Sequence, residues 1–215
     1  MFSRVFVVYS CFLVLGGCIY NEEPIPEIVY TGNSKLVLPS PPILTRTWTD
    51  VDEDVPRDWL PTSQVERTWT AIVIHHSATR KGSTAIFDKW HTTDKHWNGV
   101  GYDFVIGNGN GSGDGEVEVT FRWRKQIAGA HCGGTPRNWA NEQGIGICLV
   151  GDFTRTSPSR RQMQSLVRLI RFLQKRYNIP RSRIFGHLST PGYPGVTACP
   201  GRHFPMARLK SMLDS

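Results

Sequence analysis

Apolar residues in the last two thirds of the chain fall into short continuous runs and one long periodic stretch. The runs at residues 71–74 and 145–150 are typical of strands that are buried on both faces. Shorter runs at residues 102–106 and 184–186, together with the alternating residues 116–121, predict three further strands. The pattern therefore predicts five strands.

Three other segments are interpreted as helices, and the longest of them has the periodicity of a helix that buries one face. Helices are predicted at residues 85–97, 159–177 and 205–213. Ser83 or Thr84 can cap the first helix, and Ser157 with Pro158 forms an N-cap and first-turn pair ahead of the second. Because strands alternate with helices, we predict an α/β domain with a single central mixed β-sheet flanked by helices.

The start of the chain has the pattern of an export signal. Arg4 precedes an apolar run that is too short to span a bilayer, and the LGGC sequence at residues 15–18 resembles a bacterial lipobox. We expect a signal peptide at residues 1–17 and a lipid on Cys18, with a plain signal peptide and an incidental cysteine as the alternative. Ile19 favours the outer membrane, facing the periplasm, as the destination of a lipoprotein.

Charge divides the rest of the chain into two parts. Residues 18–66 are proline-rich and acidic without a sustained period, which predicts a tether, although we expect later apolar residues such as Trp59 and Leu60 to pack back onto the domain. The domain is predicted at residues 67–215. Residues 68–215 carry twenty basic and nine acidic side chains. The net charge of +7 for the whole chain therefore combines an acidic tether with a basic domain. A basic domain favours an anionic partner.

Candidate chemistry lies where two strands end. His75 and His76 follow the first predicted strand, His187 follows the last, and Cys199 lies twelve residues further on in a turn-rich loop. Alternation sends neighbouring side chains of a strand to opposite faces, so we expect only one of His75 and His76 in the site. Two histidines and a cysteine form a plausible zinc set with the fourth position open, but the spacing alone is a weak signal.

Five motifs carry a resemblance to a known family. IVIHHSAT, VGYDFVIG, GAHC, IGICLVGDF and GH…ACPG occur in this order between residues 68 and 213 and resemble the zinc-dependent N-acetylmuramoyl-L-alanine amidases, whose fold is shared by phage amidase-type lysozymes and peptidoglycan recognition proteins. The resemblance implies these roles: zinc ligands His75, His187 and Cys199, a catalytic Tyr102, Thr197 in contact with the reacting group, and His131 lining the substrate groove.

Two departures from the family pattern bear on the site. Residues 188–196, LSTPGYPGV, make the segment between the second and third ligands longer than usual. Cys148 stands where the cytoplasmic recycling branch of the family has a glutamate, and Cys199 stands where that branch has an aspartate. Both cysteines favour a Tyr102-assisted mechanism over a glutamate-based one.

The function implied by the resemblance is zinc-dependent hydrolysis of the amide bond between N-acetylmuramic acid and L-alanine in peptidoglycan. The alternative is a non-catalytic peptidoglycan-binding or sensor lipoprotein. The expected partners are peptidoglycan or muropeptides, and the membrane through the N-terminal lipid. An exported chain without a recognisable nucleic-acid motif is not expected to bind nucleic acid, and we expect a monomer.

Several other residues receive structural rather than functional expectations. We expect His76 to pack on the sheet, His91, His96 and His203 to lie at the surface or at helix ends, and Trp90 and Trp97 to be core residues. Trp123 and Trp139 lie in loop-like sequence, where stacking on a sugar is an open alternative. Whether Cys132 and Cys148 pair is also open, because sequence does not fix the distance between them.

Overall fold

The computed structural model of the protein describes residues 55–214. The predicted signal peptide, the lipidation site Cys18 and most of the predicted tether lie outside these residues. Those assignments and the domain boundary at residue 67 stay predictions. None of the helices in the described part is long and apolar enough to cross a membrane.

Five strands and five α-helices build the described part of the chain, with short 3-10 turns between them. The strands are β1 (Ala71–His76), β2 (Phe104–Ile106), β3 (Val117–Val119), β4 (Gly144–Leu149) and β5 (Ile184–Gly186). The helices are α1 (Thr84–Thr93), α2 (Phe121–Lys125), α3 (Trp139–Gln143), α4 (Arg160–Tyr177) and α5 (Met206–Met212). Each predicted strand overlaps one of the five.

The strands form one mixed sheet in the order β3-β2-β4-β1-β5. β1 pairs in parallel with β4 and β5, β2 pairs in parallel with β4, and only β3 runs antiparallel to its neighbour. The predicted single central mixed sheet flanked by helices is therefore confirmed. Because four strands are parallel, their carboxyl ends meet at one edge of the sheet, which is where an α/β fold places its site residues.

Alternation along β1 separates the two faces of the sheet. Ile72 and Ile74 are fully buried in the large core with the apolar face of α4, which includes Leu166 and Leu169. Val73 lies in a separate cluster on the opposite face. The side chain of His75, two residues after Val73, is thereby directed to the face of the sheet away from α4.

The helix ends differ from the predicted ones where local side-chain hydrogen bonds decide. Ser83 caps α1, as one of the two predicted candidates. The prediction that Ser157 caps the long helix is wrong, because Ser159 and Gln162 form a reciprocal capping box that starts α4 at Arg160. The prediction of a strand reaching residue 121 is also wrong, because the side chain of Thr120 accepts from the backbone N–H of Arg122 and opens α2.

The last residues of the predicted tether belong to the core. The side chains of Trp59 and Leu60 are buried in the cluster that contains α4, which confirms the expectation that they pack back. Glu66 and Arg176 form a buried ion pair at 2.5 Å, and the hydroxyl of Tyr177 donates to the same carboxylate. Burial beside this carboxylate raises the pKa of Tyr177, so the phenol stays protonated as the donor.

Candidate metal centre

Three side chains converge at the carboxyl edge of the sheet. His75 lies near the end of β1, His187 follows β5 directly, and Cys199 lies on the loop that leads to α5. Their candidate ligand atoms lie within 4.8 Å of one another, and all three residues are buried. We call His75, His187 and Cys199 the His–His–Cys cluster. β1 and β5 are neighbouring parallel strands, which explains how residues more than a hundred positions apart meet.

Backbone hydrogen bonds hold Cys199 in place. The backbone N–H of His76 donates to Cys199 Sγ at 3.3 Å, and the N–H of Leu188 donates to the Cys199 carbonyl at 2.9 Å. Cys199 Sγ lies 3.6 Å from His75 Nδ1. A donor aimed at sulfur favours the thiolate, which is the form of cysteine that binds metals.

A chain of hydrogen bonds fixes the tautomer of His75. His131 Nε2 lies 3.1 Å from the Gly144 carbonyl, which can only accept, so His131 carries its proton on Nε2. His131 Nδ1 must then accept, and His75 Nε2, 3.1 Å away, must donate to it. The lone pair of His75 is therefore on Nδ1, the nitrogen that faces Cys199 Sγ, and this is the arrangement that second-sphere partners impose on metal-binding histidines.

Burial keeps the three imidazoles neutral. Desolvation, followed by the charge of His187, lowers the pKa of His75 well below its ordinary value. Desolvation likewise lowers the pKa of His187 to about 4 and that of His131 to about 3. A metal-binding histidine must be deprotonated, so the two histidines of the cluster are in the metal-binding form at neutral pH. Within the described residues, the buried nitrogen His187 Nε2 has no hydrogen-bond partner.

Residues 65–202 match the family described as N-acetylmuramoyl-L-alanine amidase. The chain belongs to this family. Among curated proteins, a peptidoglycan-recognition protein of Drosophila simulans is 34% identical over 110 residues, which are 51% of this chain and 52% of that protein. Peptidoglycan-recognition protein LB of Drosophila melanogaster is 29% identical over 113 residues, 52% of this chain and 42% of that protein. The chain thus spans about half the length of the curated relatives it matches.

Solved structures of an amidase and of a PGRP share the fold. The amidase LysC from Clostridium intestinale URNW superposes with a TM-score of 0.57 at 28% identity, covering 69% of this chain and 87% of that one. Wild-type Drosophila PGRP-LB gives a TM-score of 0.51 at 25% identity, covering 72% and 89%. These likenesses agree with the mixed sheet and flanking helices described above.

The remaining residues assigned from the amidase resemblance take different places around the cluster. The ring of Tyr102 lies 5.3 Å from that of His75, between centroids, and its side chain hydrogen-bonds the Cys148 thiol. Thr197 Oγ1 accepts from the backbone N–H of Cys199 at 3.1 Å, which ties the loop together. His131, which the resemblance assigned to the substrate groove, is buried behind His75, with both ring nitrogens engaged inside the protein.

The expected separation of the two adjacent histidines is confirmed. His76 does not join the cluster: its Nδ1 accepts from the backbone N–H of Phe153 at 3.0 Å, on the other face of the sheet. Cys132 and Cys148 are both free and buried, and they belong to separate clusters, so the described structure contains no disulfide between them. Burial raises the pKa of Cys132 to about 11, which keeps this thiol protonated.

One expectation about an aromatic residue is wrong, and an open one is decided by tertiary contacts. His91 lies in the last turn of α1, which confirms the helix-end alternative, but it is buried; its Nδ1 accepts from the backbone N–H of Gly101, and desolvation lowers its pKa to about 4. Trp90, expected in the core, is 38% exposed. Trp123, for which sugar stacking was open, is fully buried in α2 and donates to the Trp59 carbonyl.

One positioning residue escaped the sequence analysis. Asn141 Oδ1 accepts from the backbone N–H groups of both His131 and Cys132, each at 2.8 Å. It thereby fixes the segment that carries the partner of His75. The signal available in the sequence was slight: an asparagine just before a predicted buried strand.

Proposed function

We propose that this protein hydrolyses the amide bond between N-acetylmuramic acid and L-alanine in peptidoglycan, with zinc held by His75, His187 and Cys199. The observation that carries the proposal is the His–His–Cys cluster, in which the candidate ligand atoms lie within 4.8 Å of one another. Membership in the N-acetylmuramoyl-L-alanine amidase family supports this amide bond as the one that is cut. The presence of all three ligand types favours an enzyme over a protein that only binds.

The residues of the cluster fit zinc. Two imidazole nitrogens and one thiolate are a donor set that Zn²⁺ takes in proteins, and three protein ligands leave a fourth position for water or substrate. His187 Nε2 is buried and has no hydrogen-bond partner in the described part of the chain. A buried nitrogen without a partner needs an explanation, and metal binding supplies one. When bound, zinc would polarise the scissile carbonyl and lower the pKa of a water molecule towards neutrality.

Tyr102 and Thr197 would assist by donating hydrogen bonds. As negative charge develops on the carbonyl oxygen, the Tyr102 hydroxyl, whose ring lies beside His75, is the donor that stabilises it. Its present partner, the Cys148 thiol, is a weak acceptor, so exchange for the substrate oxygen costs little. The Thr197 hydroxyl accepts from Cys199, which leaves its own hydrogen available for a second bond to the substrate.

The test is release of stem peptides from purified sacculi. Wild-type protein should free peptides with an amino-terminal alanine, detected by mass spectrometry, and Cys199→Ala should free none. Val196→Ala, a change at a fully exposed residue that contacts none of the three ligands, is the control and should retain activity. Full release by Cys199→Ala would refute the ligand assignment. No release by the wild type would refute hydrolysis, and binding to sacculi would then support the non-catalytic lipoprotein.

We further propose that the protein acts in the bacterial cell envelope, with a lipid on Cys18 as its anchor. The LGGC sequence at residues 15–18 supports this, and so does the charge of the domain. Residues 68–215 carry a net charge of +11, and peptidoglycan presents stem-peptide carboxylates. The basic surface would therefore attract the polymer, and this attraction should weaken with added salt.

A further inference from the structure

The long segment between the second and third proposed ligands brings an aromatic residue onto the cluster. The ring of Tyr193, in the loop at residues 188–196, lies 4.5 Å from the ring of His187 between centroids, with the planes at 58°. The ring of His75 contacts the same imidazole, at 4.6 Å. The His187 imidazole therefore packs against two rings, one from the proposed partner ligand and one from the loop.

The two histidines of the cluster are oriented by different means. His75 is fixed through a hydrogen bond from its Nε2 to His131. For His187, the buried Nε2, which is the nitrogen proposed to bind the metal, has no hydrogen-bond partner in the described part of the chain, and the contacts that the structure gives its ring are the two ring packings. Ligand histidines generally need an outer partner that sets the plane of the ring. Packing against Tyr193 is the contact available to do this for His187.

Tyr193 is itself held firmly enough to serve as a support. Its backbone N–H donates to the Thr190 carbonyl at 3.0 Å, and its side chain packs on the cluster of Val73, Cys132 and Ala140. A neighbouring part of the same loop is braced from α3, where Trp139 Nε1 donates to the Pro191 carbonyl at 3.1 Å. The ring therefore rests on the sheet and not only on its own loop.

Gly195 leaves the space that the Tyr193 ring occupies. A Cβ atom at residue 195 would lie 2.5 Å from Tyr193 Oη and 2.7 Å from Cζ, which is closer than real carbon contacts come. An alanine there would displace the ring from its place beside His187. The position of Tyr193 thus depends on a glycine two residues along the loop, and this gives an independent way to perturb the contact.

We propose that Tyr193 is a positioning residue, which fixes the plane of the His187 imidazole for metal binding through ring packing. The inference rests on the proposed function, because it presupposes that the His–His–Cys cluster binds zinc. It assigns a role to the loop at residues 188–196, which carries Tyr193 onto His187. The contact requires the ring and not the hydroxyl, so phenylalanine should replace tyrosine.

The test measures zinc affinity of the full chain by competition with a chromophoric chelator. Tyr193→Ala and Gly195→Ala should weaken zinc binding about 10- to 100-fold, whereas Tyr193→Phe should stay within about twofold of the wild type. Val196→Ala is the matched control, because Val196 lies in the same loop and is fully exposed. Thermal unfolding of each variant without metal shows whether a loss of zinc affinity comes from the local contact or from a destabilised fold. If Tyr193→Ala folds poorly, the zinc affinity of Gly195→Ala decides the test.

Several results would overturn the inference. Wild-type affinity in both Tyr193→Ala and Gly195→Ala would do so, and so would a loss in Tyr193→Phe as large as that in Tyr193→Ala. An equal loss in Val196→Ala would show a general effect of the loop. If the wild-type protein binds no zinc, the proposed function itself is refuted. If the wild type binds zinc and the variants bind it equally well, only the Tyr193 inference fails.

Discussion

Asp103 is a buried carboxyl whose cost to stability should depend on pH. The residue is fully buried next to Tyr102; its Oδ2 accepts from the backbone N–H of Gly146 at 2.8 Å, and its Oδ1 has no partner within the described residues. The nearby Arg122 donates instead to backbone carbonyls, including that of Val100. Desolvation therefore dominates and raises the pKa of Asp103 from 3.8 to about 7.

Replacing Asp103 by asparagine should remove this pH dependence. Folded Asp103 keeps its proton up to about pH 7, whereas the unfolded chain loses it near 3.8. The folded state thus binds more protons between these values, and stability falls as the pH rises through this window. At about 1.4 kcal/mol per pKa unit, the group should cost the wild type about 2–3 kcal/mol between pH 5 and pH 8.

The assay is urea unfolding of the full chain followed by tryptophan fluorescence, with chelator present so that metal binding does not contribute. Asp103→Asn keeps the acceptor for Gly146 and should gain about 2–3 kcal/mol over the wild type on going from pH 5 to pH 8. Asp94→Asn, a change at an exposed aspartate at the end of α1, is the control. Equal pH dependence in wild type and Asp103→Asn would refute the reasoning.

Four further predictions concern the site, the core and the anchor. His131→Ala should weaken zinc binding about 10- to 100-fold in chelator competition, because it removes the hydrogen bond that orients His75. Unchanged zinc affinity would contradict the role given to this hydrogen bond. Tyr102→Phe should slow stem-peptide release about 10²- to 10³-fold with zinc still bound, and an unchanged rate would remove Tyr102 from the mechanism. Trp59→Ala should cost about 3–5 kcal/mol in urea unfolding, and a cost near zero would contradict its burial in the core. Cys18→Ser should abolish labelling with radioactive palmitate, and persistent label would place the lipid elsewhere.

Much of the sheet and one long helix followed from sequence periodicity. The five strands and α4 bury continuous or periodic apolar runs, so the pattern of side chains determines them locally. α2 and α3 are only five residues long each, too short for periodicity to indicate them. Their positions depend on the Thr120 cap and on packing against the sheet, and neither is visible in a single sequence.

The candidate site divides in the same way. His75, His187 and Cys199 could be singled out because they follow predicted strands or lie in a loop with ligand chemistry, and the resemblance completed the set. The support around them could not be found from sequence, because it consists of contacts between distant residues. His131 reaches His75 across 56 positions of sequence, and the Tyr193 contact depends on how a loop of unusual length folds back.

The buried residues at both ends of the domain show that the hydrophobic core extends beyond the limits of the family match. The family match covers residues 65–202, yet Trp59 and Leu60 before it and Leu209 after it lie in the same core as α4. Common ancestry is detected over the segment that relatives share, whereas cooperative unfolding involves every side chain that closes the core. A shortened protein that kept only the shared segment would expose the apolar surface these three residues cover. Homology and cooperativity thus set different limits on the smallest unit that can fold alone.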